Sequence, residues 1–155
     1  MIIEIDGAKI NYEVMGEGKP VILLHGWGAN IDTMAPIWMT LKEKYKIYVL
    51  DFPGESGKSS LPPVPWGVPE YGEMVKKFID GLEIKKPSVI AHSFGGRVTI
   101  YLASKYKDLF DKIVLTDAAG VKPKTTMKKK LKRLMFKCGK FVIRTFTPVN
   151  KLDDK

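Results

Sequence analysis

The chain has 155 residues, 45% of them apolar, which is enough to bury one sizeable core and does not call for two domains. The formal net charge is +9, but residues 1–121 hold 14 basic against 15 acidic side chains, whereas residues 122–155 hold 12 against 2. This imbalance excludes a uniformly basic nucleic-acid surface over the first 121 residues, and the lone Cys138 excludes an internal disulfide.

In chain order, the opening MIIEID has an acid at position 4 and no basic stretch ahead of an apolar run, so no secretory leader is expected. No apolar run approaches the roughly 18 residues of a membrane span, and a cytoplasmic location is the default expectation. Asp6-Gly7 is a turn dipeptide suited to positive φ, so residues 2–5 and 8–14 are expected to pair as an antiparallel hairpin. PVILLHG at 20–26 is continuously apolar, as a strand covered on both faces must be. A helix is expected over about 33–44 and a strand at 46–51. The stripe Tyr71, Met74, Val75, Phe78, Ile79 and Leu82 has helical spacing and predicts an amphipathic helix over 70–82. PSVIAHS at 87–93 is the next buried strand, 94–106 the next helix, and KIVLTD at 112–117 the last strand before the composition changes near Gly120 to Pro123. Strand-helix alternation with doubly apolar strands implies an α/β fold: a predominantly parallel sheet, led by the antiparallel hairpin, with helices on both faces.

Chemistry in such a sheet gathers at the carboxyl ends of its strands. Three ends are distinctive: His25-Gly26-Trp27-Gly28, the turn-rich DFPGESGKS at 51–59, and Ala91-His92-Ser93-Phe94-Gly95. A serine on a sharp strand-to-helix turn needs small residues two positions away on either side, and Ala91 and Gly95 meet that need. The turn would lift the Ser93 oxygen above the sheet and set the N–H groups that follow it at a helix start, where developing negative charge is stabilised. The competing reading of Ser93 is an ordinary helix N-cap. Asp51 is expected to cap or brace its own loop, and the phosphate-binding spacing G-x-x-x-x-G-K-[ST] is absent around Gly54 and Gly57.

HGWG at 25–28, DFPGESGKS at 51–59, AHSFGG at 91–96 and KIVLTD stand in the order and spacing of the α/β-hydrolase family, which the first 121 residues resemble. The resemblance implies Ser93 as nucleophile, an oxyanion hole from the backbone N–H groups of Trp27 and Phe94, and a supporting loop of His25, Gly26 and Gly28. It implies a small-molecule ester-like substrate hydrolysed through an acyl-enzyme, with carbon–carbon bond hydrolysis as the family's other outcome, and no metal or organic cofactor. A serine rather than an aspartate at position 93 argues against the haloalkane dehalogenase branch. Two departures are visible: Ala91 replaces the first glycine of G-x-S-x-G, and the DFPG loop is one residue longer than the commoner D-x-P-G-x-G-x-S.

The family places the acid and then the histidine of its triad after the nucleophile. Asp117, ending KIVLTD, is a candidate acid whose competing reading is a turn residue. The only histidines are His25 and His92; the first is expected to shape the oxyanion loop, and the second to point away from Ser93 along its strand and to serve in packing or hydrogen bonding. The proton acceptor is therefore expected to be missing, and the fold to be an incomplete α/β-hydrolase, the amino-terminal part of a longer or split protein, completed by a C-terminal portion or a second chain. Within residues 122–155, apolar positions from Met127 through Leu131, Leu134 and Cys138 to Phe146 recur at helical spacing among Lys and Arg. This basic amphipathic segment is expected to start a cap over the site. Its alternatives are an anionic membrane surface or partner met by residues 125–146, as in a non-catalytic protein, and, least favoured, nucleic acid.

Overall fold

Asp6 and Gly7 carry φ of 50° and 78°, which turns β1 (Ile2–Ile5) back onto β2 (Ala8–Met15) with Ile5 opposite Ala8. This is the antiparallel hairpin expected from the dipeptide. The structure is a computed structural model that describes residues 1–54 and 57–120. The segment expected to start a cap, 122–155, and its stripe at 125–146 lie outside the described residues.

The four apolar runs that follow form β3 (Lys19–Leu24), β4 (Tyr45–Leu50), β5 (Ser88–His92) and β6 (Ile113–Thr116), joined in parallel. β2 pairs antiparallel with β4, so the six strands run β1-β2-β4-β3-β5-β6. The α/β class and the mostly parallel sheet are thus as the alternating pattern predicts.

Side chains on a strand alternate between the two faces, and both faces here are dry. Val21, Leu23, Ile47 and Val49 pack on one side with Ile37, Trp38 and Leu41 of α1 (Ala35–Leu41). Ile22, Leu24, Leu50, Val89 and Ala91 face the other side, against Met74, Val75 and Phe78 of α2 (Val68–Gly81) and Val98 and Leu102 of α3 (Phe94–Lys105). Continuous apolar strands are the consequence of this double cover.

Two helices differ at their edges from the spacing-based expectation. The helix expected from 33 opens as a 3-10 turn, Ile31–Met34, because the Asn30 side chain accepts the Thr33 N–H and Pro36 occupies the first turn of α1. α2 starts two residues before Glu70, since Pro69 suits a first turn and the Glu70 carboxylate accepts the Gly67 N–H at 2.8 Å. At the other side of the sheet β6 is an outer strand among the described residues, and Ile113, Val114 and Leu115 remain 43%, 49% and 38% exposed.

Candidate active site

Ser93 joins β5 to α3 with φ 49° and ψ −107°, a conformation that costs a non-glycine residue about 1–3 kcal/mol and persists only where its surroundings impose it. Those surroundings are visible. The Ser93 N–H donates to the Thr116 carbonyl at 3.1 Å, and the Ser93 carbonyl accepts the Ala119 N–H at 2.9 Å. Gly95 donates its N–H to the His25 carbonyl at 3.1 Å, and a Cβ at Gly95 would collide with the Leu24 carbonyl oxygen. The turn is locked from both neighbouring strands. Ser93 stands at the N-cap of α3, yet its side chain makes no capping hydrogen bond and its backbone is not extended as a cap's would be. The ordinary-cap reading therefore does not describe it.

The loop expected to form the oxyanion hole is shaped by His25 and Gly26. His25 is buried, its Nδ1 donates to the Gly26 carbonyl at 2.7 Å and its Nε2 accepts the Phe52 N–H at 3.0 Å. That pairing fixes the neutral tautomer, and burial holds the imidazole pKa below its usual 6.5, against a weaker opposing pull from the Gly26 carbonyl and Asp51. Both ring nitrogens are engaged, so His25 shapes the loop and has no lone pair for Ser93. The Ala29 N–H closes the turn onto the Gly26 carbonyl at 3.1 Å, leaving Trp27 and Gly28 at its tip with Gly28 at φ 73°. Among the described residues the Trp27 and Phe94 N–H groups donate to no backbone carbonyl. Their side chains meet edge to face, with ring centroids 5.1 Å apart.

His92 and Ser93 both border Gly26: a Cβ built there would stand 3.0 Å from His92 Nδ1 and 3.3 Å from Ser93 Cβ. His92 is exposed and packs on Gly26. Asp117 ends β6 beside the Ser93 strand, at φ 47° and exposed, in the loop that reaches back to Ser93 through Ala119. No histidine sits on it among the described residues: the histidine–carboxylate approach is His25 to Asp51, 3.9 Å apart.

Asp51 braces its own loop, as its position predicts. Its Oδ1 accepts the Ile31 N–H and its Oδ2 accepts Asn11 Nδ2, both at 2.8 Å, with the Lys58 N–H on Oδ2 at 2.9 Å. A Cβ at Gly57 would overlap this carboxyl group, so glycine there is a packing requirement rather than a phosphate loop. Among the described residues no cluster of three or more His, Cys, Asp or Glu suits a metal ion, and no helix is long and apolar enough to cross a membrane.

A cavity of about 620 Å³ opens beside the oxyanion loop, walled by Trp27, Phe52, Leu61, Pro65, Trp66 and Tyr71 among others. Sequence reasoning missed this feature. Its signal is LPPVPW at 61–66, a proline-rich run ending in tryptophan that carries no periodicity.

Comparison with known proteins adds four findings. A family model described as the alpha/beta hydrolase fold matches residues 19–146. The chain is 32% identical over 107 residues to a serine hydrolase-like protein of Danio rerio, covering 68% of this chain and 33% of that protein. It is 28% identical over 113 residues to a soluble epoxide hydrolase of a Corynebacterium species, covering 73% and 39%. Among solved structures, a meta-cleavage product hydrolase of Pseudomonas fluorescens superposes with a TM-score of 0.73 at 29% identity, over 82% of this chain and 48% of that one. The chain thus spans between a third and a half of the length of these relatives.

Proposed function

The chain belongs to the alpha/beta hydrolase fold family, and on that premise we propose that it carries the nucleophile half of a serine hydrolase acting on an ester or similar carbonyl. Ser93 Oγ adds to the carbonyl carbon as its proton passes to a base, which gives it to the leaving group on collapse, and the N–H groups of Trp27 and Phe94 hold the oxygen as it takes negative charge. Collapse expels the leaving group and leaves Ser93 acylated. Water then releases the acyl group once a base takes its proton. The observation that carries this reading is Ser93 itself: a strained turn held from both neighbouring strands, at a helix start it does not cap.

The base is a histidine this sequence does not contain. His25 has both nitrogens engaged, and His92 rests on Gly26. Asp117 is the candidate acid, on the strand end next to Ser93, awaiting a histidine to orient. By itself the chain is expected to be inactive or very weak.

Ser93→Cys tests the nucleophile and the oxyanion hole without the base, because a thiol near its ordinary pKa of about 8.5 needs no general base at that pH. With p-nitrophenyl acetate at about pH 8.5, mass spectrometry should find position 93 acetylated at least about tenfold faster than the chain's own Cys138, the scale of one oxyanion donor or less. Equal rates at the two positions would overturn the assignment. The second reading, a non-catalytic protein using residues 125–146 on an anionic membrane, is favoured by the fully engaged His25. It predicts salt-sensitive co-sedimentation with anionic vesicles, and salt-insensitive or absent binding rejects it.

A further inference from the structure

Two polar groups in the wall of the cavity, the Tyr71 hydroxyl and the His25 ring, are already spent. Tyr71 donates its hydroxyl to the Pro53 carbonyl at 2.7 Å. His25, the titratable ring among the described lining residues apart from Tyr71, is neutral and bonded at both nitrogens. No lining residue described carries a charge. A ligand entering this space gains contact with apolar surface and meets no charged side chain among the described lining residues, so a carboxylate would be desolvated without an ionic partner. The rings are arranged around Tyr71: Trp27, Phe52 and Trp66 lie 5.9, 5.6 and 5.5 Å from it, all edge to face. Such an arrangement presents both edges and faces to a further ring. The volume, about 620 Å³, lies in the range of small-molecule sites, roughly 300–1,000 Å³.

The position of the cavity assigns it a part in the reaction. Trp27 belongs both to its wall and to the oxyanion loop, whereas Ser93 is not among the described lining residues. The space therefore adjoins the reacting carbonyl without enclosing it. We infer that the cavity takes the larger non-reacting group of the substrate, that this group is neutral and apolar with an aromatic ring preferred, and that a carboxylate in its place is rejected. The inference rests on Ser93 as the nucleophile for its meaning in catalysis, but the recognition it describes is measurable without turnover.

The probe is an unreactive ketone, 4-phenyl-2-butanone, titrated into the full chain by calorimetry beside the same ketone bearing a ring carboxylate, 4-(3-oxobutyl)benzoate. The neutral ketone should bind, and the carboxylate should bind at least about tenfold more weakly. Trp66→Ala should weaken the neutral ketone by about tenfold. Because Trp66 packs partly on the core, Leu61→Glu provides a second variant: Leu61 is 62% exposed, so the fold tolerates the change while a charge arrives at the cavity. It too should weaken the neutral ketone severalfold. Absence of ketone binding, equal affinity for the carboxylate, or indifference to both substitutions would overturn the inference. Ser93→Ala should leave ketone affinity within about twofold, and acetylation at position 93 in Ser93→Cys reports the nucleophile separately, so failure of the pocket and failure of the nucleophile are distinguishable.

Discussion

Asp51 and Ser93 stand at the carboxyl ends of β4 and β5, the two strands that flank β3, and they manage their polar groups in opposite ways. The buried Asp51 carboxylate is saturated by Asn11, Ile31 and Lys58. Ser93 has a strained backbone, no capping bond from its side chain, and a following N–H that meets no backbone carbonyl among the described residues. His25 belongs with Asp51: buried, neutral and doubly bonded. A polar group whose partners are all internal is architecture, whereas one held under strain with its bonding capacity unspent is placed for something outside the fold. The contrast separates the histidine and carboxylate that build this site from those that would be needed to run it.

Removing Asp51 should give the largest effect. Asp51→Ala strands the buried Ile31 N–H, at about 1–3 kcal/mol, and takes the acceptor from the part-buried Asn11 and Lys58 donors at smaller cost, so a loss of about 2–3 kcal/mol is expected in urea unfolding. A loss under about 1 kcal/mol would place Asp51 outside the architecture. A smaller effect belongs to His25. Because burial lowers the folded-state pKa of His25, the unfolded chain binds the extra proton first: stability is full above pH 6.5 and falls as pH drops below it, by up to about 1.4 kcal/mol per pH unit. A flat profile from pH 7.5 to about 5.5 would break the assignment of His25 as buried and neutral. The smallest change should have the opposite sign. Ser93→Gly relieves a conformation only glycine adopts freely, and should stabilise the chain by about 1 kcal/mol, net of glycine's greater unfolded entropy, whereas Ser93→Ala should not. Destabilisation by Ser93→Gly would mean the turn is not strained by its side chain.

Much of this contrast is legible in the sequence because it depends on local chemistry. Asp6-Gly7 specifies its own turn, the continuous apolar strands announce a sheet covered on both faces, and Ala91 and Gly95 mark a turn where backbones approach. Asp51 reads as a brace from its place at the head of the turn-rich DFPGESGKS loop, whereas the fit of its carboxyl group against Gly57 is seen only in three dimensions. The remainder is long-range. The cavity wall joins Trp27, Phe52, Trp66 and Tyr71 from separate loops and a helix, and no periodicity connects them. The meeting of His92 and Ser93 with Gly26 joins segments far apart in the chain, which residue types alone do not specify. The edges of α1 and α2 were shifted by Asn30, Pro36 and Pro69, short-range signals that apolar spacing overlooks.

The central claim is that residues 1–120 build a serine to be a nucleophile without supplying its base. When members of a catalytic set act as a unit, the serine contributes almost nothing once its histidine is gone. The most direct test compares turnover of p-nitrophenyl acetate near pH 7 by the chain and by Ser93→Ala. The account predicts equal rates. A robust rate that Ser93→Ala abolishes would show that the base is present after all, with His92 the first residue to examine.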